Sequence, residues 1–165
     1  MELYLVRHGE AKRPEEDPAQ PLSERGKKAI SKVAGLIRDL HIRVRVIKHS
    51  GKLRAEETAR ELAKAVTSAG GIEQSEGLRP NDDVGPVKVQ LEEAGENIMI
   101  VGHLPYLSRL ASDLLCGDRR QDIVTFRAAT VVRLDRDEAS GAWHIRWVVT
   151  PDVAQAQKDY SSPPP

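Results

Sequence analysis

One cysteine, Cys116, stands among the 165 residues, and a lone thiol excludes an intramolecular disulfide and any cysteine-built metal cluster. A reducing compartment fits that. Net charge is absent as well. The 25 basic and 25 acidic side chains cancel, so the whole-molecule field gives no reason to expect nucleic acid or an anionic membrane as partner. Any binding charge has to be local. The first ~20 residues hold no apolar stretch of signal-peptide length, and nothing later approaches the ~20 residues that cross a bilayer. The expectation is a soluble, cytoplasmic protein. Neither an internal repeat nor a linker divides the chain, whose length suits one domain with a core of its own. The expected organisation is a single domain over 1–150 and a C-terminal extension over 151–165. There Ser161-Ser162-Pro163-Pro164-Pro165 cannot bury apolar surface and should fray, leaving the extension partly disordered.

What the chain does have is short apolar runs alternating with segments of helical period, the pattern of a sheet covered by helices. Leu3 to Val6 reads as a buried strand. Ser23 can cap a helix whose apolar positions Ile30, Val33, Ala34, Ile37 and Leu40 share one face. Val44, Val46 and Ile47 form a second strand, followed by a helix with Ala55, Thr58, Ala59, Leu62, Ala63 and Val66 on one side and a stop at Gly70-Gly71. A weak strand near Glu73 to Glu76 and a short helix with Val84, Val87 and Leu91 come next. Ile98 to Val101 is apolar throughout and leads through Gly102-His103-Leu104-Pro105 into another helix, since proline is tolerated in a first turn. Val131 to Leu134 and Trp143 to Val149 then suggest a hairpin around Ser140-Gly141. The sum is an α/β protein with a mostly parallel central sheet between helical layers.

In open α/β sheets, sites form beyond the carboxyl ends of strands. Three such ends carry Arg7-His8-Gly9, Ser50 leading to Arg54, and Gly102-His103. A strand holds His8 rigidly, Gly9 leaves room for a substrate, and Arg7 and Arg54 offer planar forks suited to phosphate oxygens. Two guanidinium groups and two imidazoles around one point describe a site for a dianion, and neutralising it calls for no metal and no other cofactor. A neutral histidine can attack phosphorus and form a phosphohistidine that water hydrolyses. His8 must then be unprotonated, while His103 is expected protonated, donating to a phosphoryl oxygen. Glu10 can orient Arg7, hold a water or be a solvated loop acid. Ser50 can cap the following helix or touch phosphate. Thr58 faces the core by its spacing, and His41, His49 and His144 read as surface or turn histidines without partners at metal-ligand spacing.

The segments LVRHGEAK, HSGKLRAEETA and VGHLP resemble the signature segments of the histidine phosphatase superfamily, and the short chain is most similar to the SixA-type phosphohistidine phosphatases. The resemblance runs from Met1 to about Val149. It implies the family's three-layer α/β/α sandwich, with His8 as phosphorylated nucleophile and Arg7, Arg54 and His103 making the phosphate pocket. Gln20 stands where an arginine often precedes Pro-Leu in SixA-like members, and glutamine can hydrogen-bond phosphate but not neutralise it. Gly9, Glu10, Gln20 and Ser50 complete the expected substrate-binding set. The phosphomonoesterase branches usually add a carboxylic acid from mid-chain, for which Asp82 or Asp83 are the only candidates. Neither stands in a segment with a convincing match to the family, and the lack of such an acid fits a good leaving group such as the protonated imidazole of phosphohistidine. The expected partner is therefore a phosphohistidine-bearing protein, with a small phosphate ester as the same-mechanism alternative and a non-catalytic phosphate-dependent binding module as the alternative from another class.

Overall fold

A computed structural model describes residues 1–161, with side chains to residue 156. The N-terminal half runs through β1 (Glu2–Arg7), α1 (Glu24–Arg38), β2 (Arg43–Val44), β3 (Val46–His49), α2 (Leu53–Leu62), β4 (Thr67–Ser68) and β5 (Ile72–Gln74). The second half follows with α3 (Gly85–Ala94), β6 (Ile98–Gly102), α4 (Tyr106–Cys116), β7 (Val131–Arg136), β8 (Trp143–Val149) and α5 (Pro151–Ser161).

Six strands form one sheet in the order β5-β3-β6-β1-β7-β8. The first four are parallel, and β7 and β8 add an antiparallel edge. Strand alternation divides the core in two. Tyr4 and Val6 of β1 point to the layer of α1, α2 and α5, where Ile30, Val33, Ile37, Ala55, Ala59, Leu62 and Ala154 are buried. Leu3 and Leu5 point to the opposite layer, against Val87 and Leu91 of α3 and Leu107, Leu110 and Leu114 of α4. The result is the three-layer α/β/α sandwich with a mostly parallel sheet that the sequence suggested.

Ser23 caps α1 as expected, its Oγ accepting from Gly26 N at 3.0 Å. Leu40 does not extend the buried stripe: the helix ends at Arg38 and Leu40 is half exposed. Val44 belongs to β2, which pairs only with β4 in a separate two-stranded sheet, so the second expected strand is split in two. The α2 helix stops at Leu62 rather than at the glycines, because Thr67 and Ser68 pair with Arg43 and Val44 instead. Gly70 serves a close crossing, since a Cβ there would sit 2.9 Å from the Arg45 carbonyl oxygen. The weak strand expected at Glu73 to Glu76 lies slightly earlier, as β5. The chain continues beyond residue 150 as α5, which packs against α1; residues 162–165 of the expected frayed tail lie outside the described residues.

Candidate active site

Register brings the chemistry together. In the parallel pairing of β1 with β6, Arg7 stands beside Gly102, so the residues that follow, His8 and His103, leave the sheet side by side. The His8 backbone N–H donates to the Gly102 carbonyl at 3.1 Å, extending the ladder by one residue. The two rings lie 4.8 Å apart between centroids, tilted by 52°. In the pairing of β3 with β6, His49 stands beside Val101, which places Ser50 level with Gly102. Ser50 Oγ is 2.5 Å from His103 Nε2. Arg54, in the first turn of α2, reaches back with Nε 3.4 Å from His8 Nε2 and donates through Nη1 to Gln20 Oε1 at 3.1 Å. Arg7 donates through Nη1 to the Phe126 carbonyl at 2.7 Å, while its Nε is buried without a partner. Thus Arg7, His8, Gln20, Ser50, Arg54 and His103 converge.

His8 Nδ1 lies 2.6 Å from the Gly9 carbonyl oxygen, an acceptor only, so Nδ1 carries the ring proton and Nε2 keeps its lone pair, which accepts from Arg54 Nε. Burial pushes the His8 pKa down to about 4, and the positive charges of Arg54 and Arg7 act in the same direction against the opposing Gly9 contact. His103 is lower still, at about 3, again through burial first and then the fields of His8, Arg54, Lys52 and Arg7. The expectation of a protonated His103 is therefore corrected for the ligand-free site: both rings are neutral at neutral pH. A dianion among these groups would reverse the field and favour a proton on His103. Burial also lowers the pKa of Arg7 and Arg54, yet guanidinium groups keep their charge at any physiological pH. Among the described residues neither arginine has a carboxylate partner.

The other expected residues serve the frame. The space a Gly9 Cβ would take is filled by Leu22 Cδ2 at 3.0 Å and Gly26 O at 3.1 Å, so Gly9 permits loop-to-helix packing rather than substrate entry. Glu10 does not orient Arg7: its carboxylate accepts from Ser23 Oγ at 3.1 Å and lies 3.6 Å from Arg25 Nε. Ser50 does not cap α2, whose N-cap is Lys52. Asp82 accepts from Arg79 N, and Asp83 accepts from Gly85 N at 3.1 Å and from Arg119 Nη1 at 2.6 Å. Those contacts, Gly85 N first, hold Asp83 below the usual carboxylate range. Both aspartates line a cleft of about 480 Å³, with Gln74, Glu76 and Arg79, that meets the site at Ser50. His49 is buried, not a surface histidine, and accepts from Gly51 N through Nδ1 at 3.2 Å.

Two framework residues escape sequence reasoning. Thr58 is fully buried as expected, but its hydroxyl accepts from Gly9 N at 3.1 Å and donates to the Arg54 carbonyl at 2.7 Å. It bolts the His8 loop to the helix that carries Arg54. The signal was a threonine four residues after an arginine, in position to bond back along a helix. Gly26 is the other: a Cβ there would sit 2.0 Å from the Glu10 carbonyl oxygen.

Among the described residues no three His, Cys, Asp or Glu side chains gather where they could hold a metal ion, and no helix is long and apolar enough to cross a membrane. A family model for the histidine phosphatase superfamily (branch 1) matches residues 3–82. The phosphohistidine phosphatase SixA of Escherichia coli K12 is 26% identical over 156 residues, 92% of this chain and 94% of that protein. A structure of the protein histidine phosphatase SixA complexed with tungstate superposes with a TM-score of 0.80 at 25% identity, covering 92% of this chain and 98% of that one. The α-ribazole phosphatase of Shigella flexneri shares the fold, with a TM-score of 0.73 at 17% identity over 92% and 97% of the two chains. The matched segment, the similarity to SixA and the paired histidines at adjacent strand ends all make this chain similar to the histidine phosphatase superfamily.

Proposed function

We propose that this protein is a metal-independent phosphatase that works through a phosphohistidine intermediate on His8, with phosphohistidine on a partner protein as its favoured substrate. The observation that carries the reading is the pair of guanidinium groups, Arg7 and Arg54, held without a carboxylate partner among the described residues and beside two neutral imidazoles. An unanswered pair of cations is a standing site for a dianion, and it supplies the charge that phosphoryl transfer needs at the equatorial oxygens. In this scheme the phosphoryl group takes over the donors of Arg54, which frees the His8 Nε2 lone pair. That lone pair forms a bond to phosphorus as the bond to the leaving group breaks. The leaving group departs with the electron pair, and water then cleaves the His8 phosphorus–nitrogen bond to release phosphate.

The choice of substrate rests on the leaving group. An alkoxide needs a proton from an acid of suitable pKa, but Asp83 is committed to Gly85 N and Arg119, and Asp82 holds Arg79 N. An imidazole already protonated on its other nitrogen takes the electron pair and leaves as the neutral ring, without help from an enzyme acid. The sequence similarity to SixA supports the same choice, while likeness to phosphatases of small esters extends to the fold alone. The test is turnover of a phosphohistidine-bearing protein against aryl and sugar phosphates, with chelator present. Selectivity for the protein, with an acid-labile, alkali-stable phosphate trapped on His8 and no turnover by His8→Ala, is the expected result. Label on another residue, or a rate that collapses in chelator, would overturn the proposal.

A further inference from the structure

Within this site one hydroxyl stands apart from the anion-binding set. Ser50 Oγ lies 2.5 Å from His103 Nε2, and both residues are buried, at 5% and 2% exposure. The other contact on Ser50 Oγ is the Lys52 backbone N–H, which donates at 3.4 Å. A hydroxyl that already receives one proton turns its own toward the remaining neighbour, and that neighbour is Nε2. A neutral imidazole accepting at Nε2 carries its proton at Nδ1. His103 Nδ1 is buried and has no hydrogen-bond partner among the described residues. A buried donor left open costs free energy, so a protein that keeps one has a use for it.

We propose that Ser50 is a positioning residue that donates to His103 Nε2, fixes the Nδ1–H tautomer, and so presents that N–H to an oxygen of the bound phosphoryl group. The inference rests on the phosphatase reading for its ligand, and on the Ser50 and His103 geometry for its mechanism. The same hydroxyl serves the next state. When a bound dianion draws a proton onto Nε2, Ser50 Oγ turns from donor to acceptor with neither heavy atom moving. A methyl group can do neither, and a thiol does both poorly. One serine thereby supports the two protonation states of His103 that binding connects. Its placement follows from the register of β3 on β6, which sets residue 50 beside residue 102 and leaves the side chain one step from residue 103.

The experiment reads the ring nitrogens directly, by ¹⁵N chemical shifts in the full ligand-free chain at neutral pH, with inorganic phosphate affinity measured by calorimetry. Wild-type His103 is expected as the Nδ1–H form. Ser50→Ala should move it toward the Nε2–H form that imidazole side chains favour in water, and weaken phosphate binding by about tenfold, the loss of one hydrogen bond to a charged group. Ser50→Thr, which keeps the hydroxyl, should restore both. The His8 signals, with Nδ1–H held by Gly9 O, report that each variant is folded. A wild-type His103 found as Nε2–H overturns the proposal, as does a Ser50→Ala protein with unchanged tautomer or unchanged phosphate affinity. Because neither readout involves turnover, a chain inactive on every phosphoryl substrate would sink the phosphatase reading while leaving this result to stand or fall alone.

Discussion

Arg54 is half-buried and carries a charge that no acidic group in the described structure answers; its contacts are a neutral ring and a neutral amide. Arg54→Ala should therefore weaken inhibition by phosphate about ten- to hundredfold, since hydrogen bonds to charged groups contribute ~1.5 to 3 kcal/mol. It should also let the His8 pKa rise from about 4, because Arg54 is one of the charges that hold it down. Arg54→Lys should recover little, as an ammonium cannot hold His8 and Gln20 in one planar fork. Inhibition constants for phosphate or vanadate, with a histidine titration, check all three. At this scale the sequence made the gathering of Arg7, His8, Arg54 and His103 legible, because each stands at or just beyond the end of an apolar strand or in the first turn of the next helix. Glu10, Ser50 and Thr58 act through partners 13, 53 and 49 residues away in the chain. No local pattern records such pairings.

Among the elements, α1 joins α2 in buttressing the candidate site, for its first turn lies against the backbone of Glu10, two residues after His8. Two glycines in that helix separate the effects. Gly35 has nothing within 4 Å of the place a Cβ would occupy, whereas at Gly26 the Cβ would collide with the Glu10 peptide. Gly35→Ala should stabilise the fold by about 0.5 to 1 kcal/mol through helix propensity and leave turnover unchanged. Gly26→Ala should destabilise it by roughly 1 to 3 kcal/mol and reduce turnover as well, because the loop carrying His8 must shift. Thermal melts and steady-state rates on the pair decide it; matched changes in the two variants would mean that α1 does not hold the His8 loop. Strands β1 and β6 were readable because each is a buried apolar run with a polar residue at its end, and β7 and β8 because both are rich in β-branched residues. The short β2 and β4 pairing was not, since two-residue strands leave no period to detect, and Gly70-Gly71 mark a backbone crossing that only the folded chain contains.

For the molecule as a whole, the charges sum to zero while the candidate site keeps two cations and two uncharged imidazoles inside, and that separation has a cost that depends on pH. An unfolded histidine titrates near 6.5, but His8 and His103 resist protonation in the fold until about 4 and about 3. Between those values the unfolded chain binds more protons than the native one, so stability rises with pH across the window and is lost as pH falls from about 6.5 toward 4. The slope is no steeper than about 1.4 kcal/mol per pH unit for each ring. Carboxylates confuse the reading only in stronger acid: Asp118, for one, is held down to about 2 by its hydrogen bonds to Arg120. His49, also lowered by burial, adds a background that site variants leave in place. Melting temperatures from pH 7 to pH 5 should therefore fall for the wild-type chain and fall less for His8→Asn and His103→Asn, which keep a neutral polar side chain and remove the titration. Saturating phosphate should flatten the wild-type curve, because a bound dianion raises the pKa of the rings it touches and also stabilises the fold by mass action. Parallel curves for all three proteins would mean that these imidazoles are as solvated in the fold as in the open chain, and a site with rings so exposed could not hold the His8 lone pair ready in mild acid.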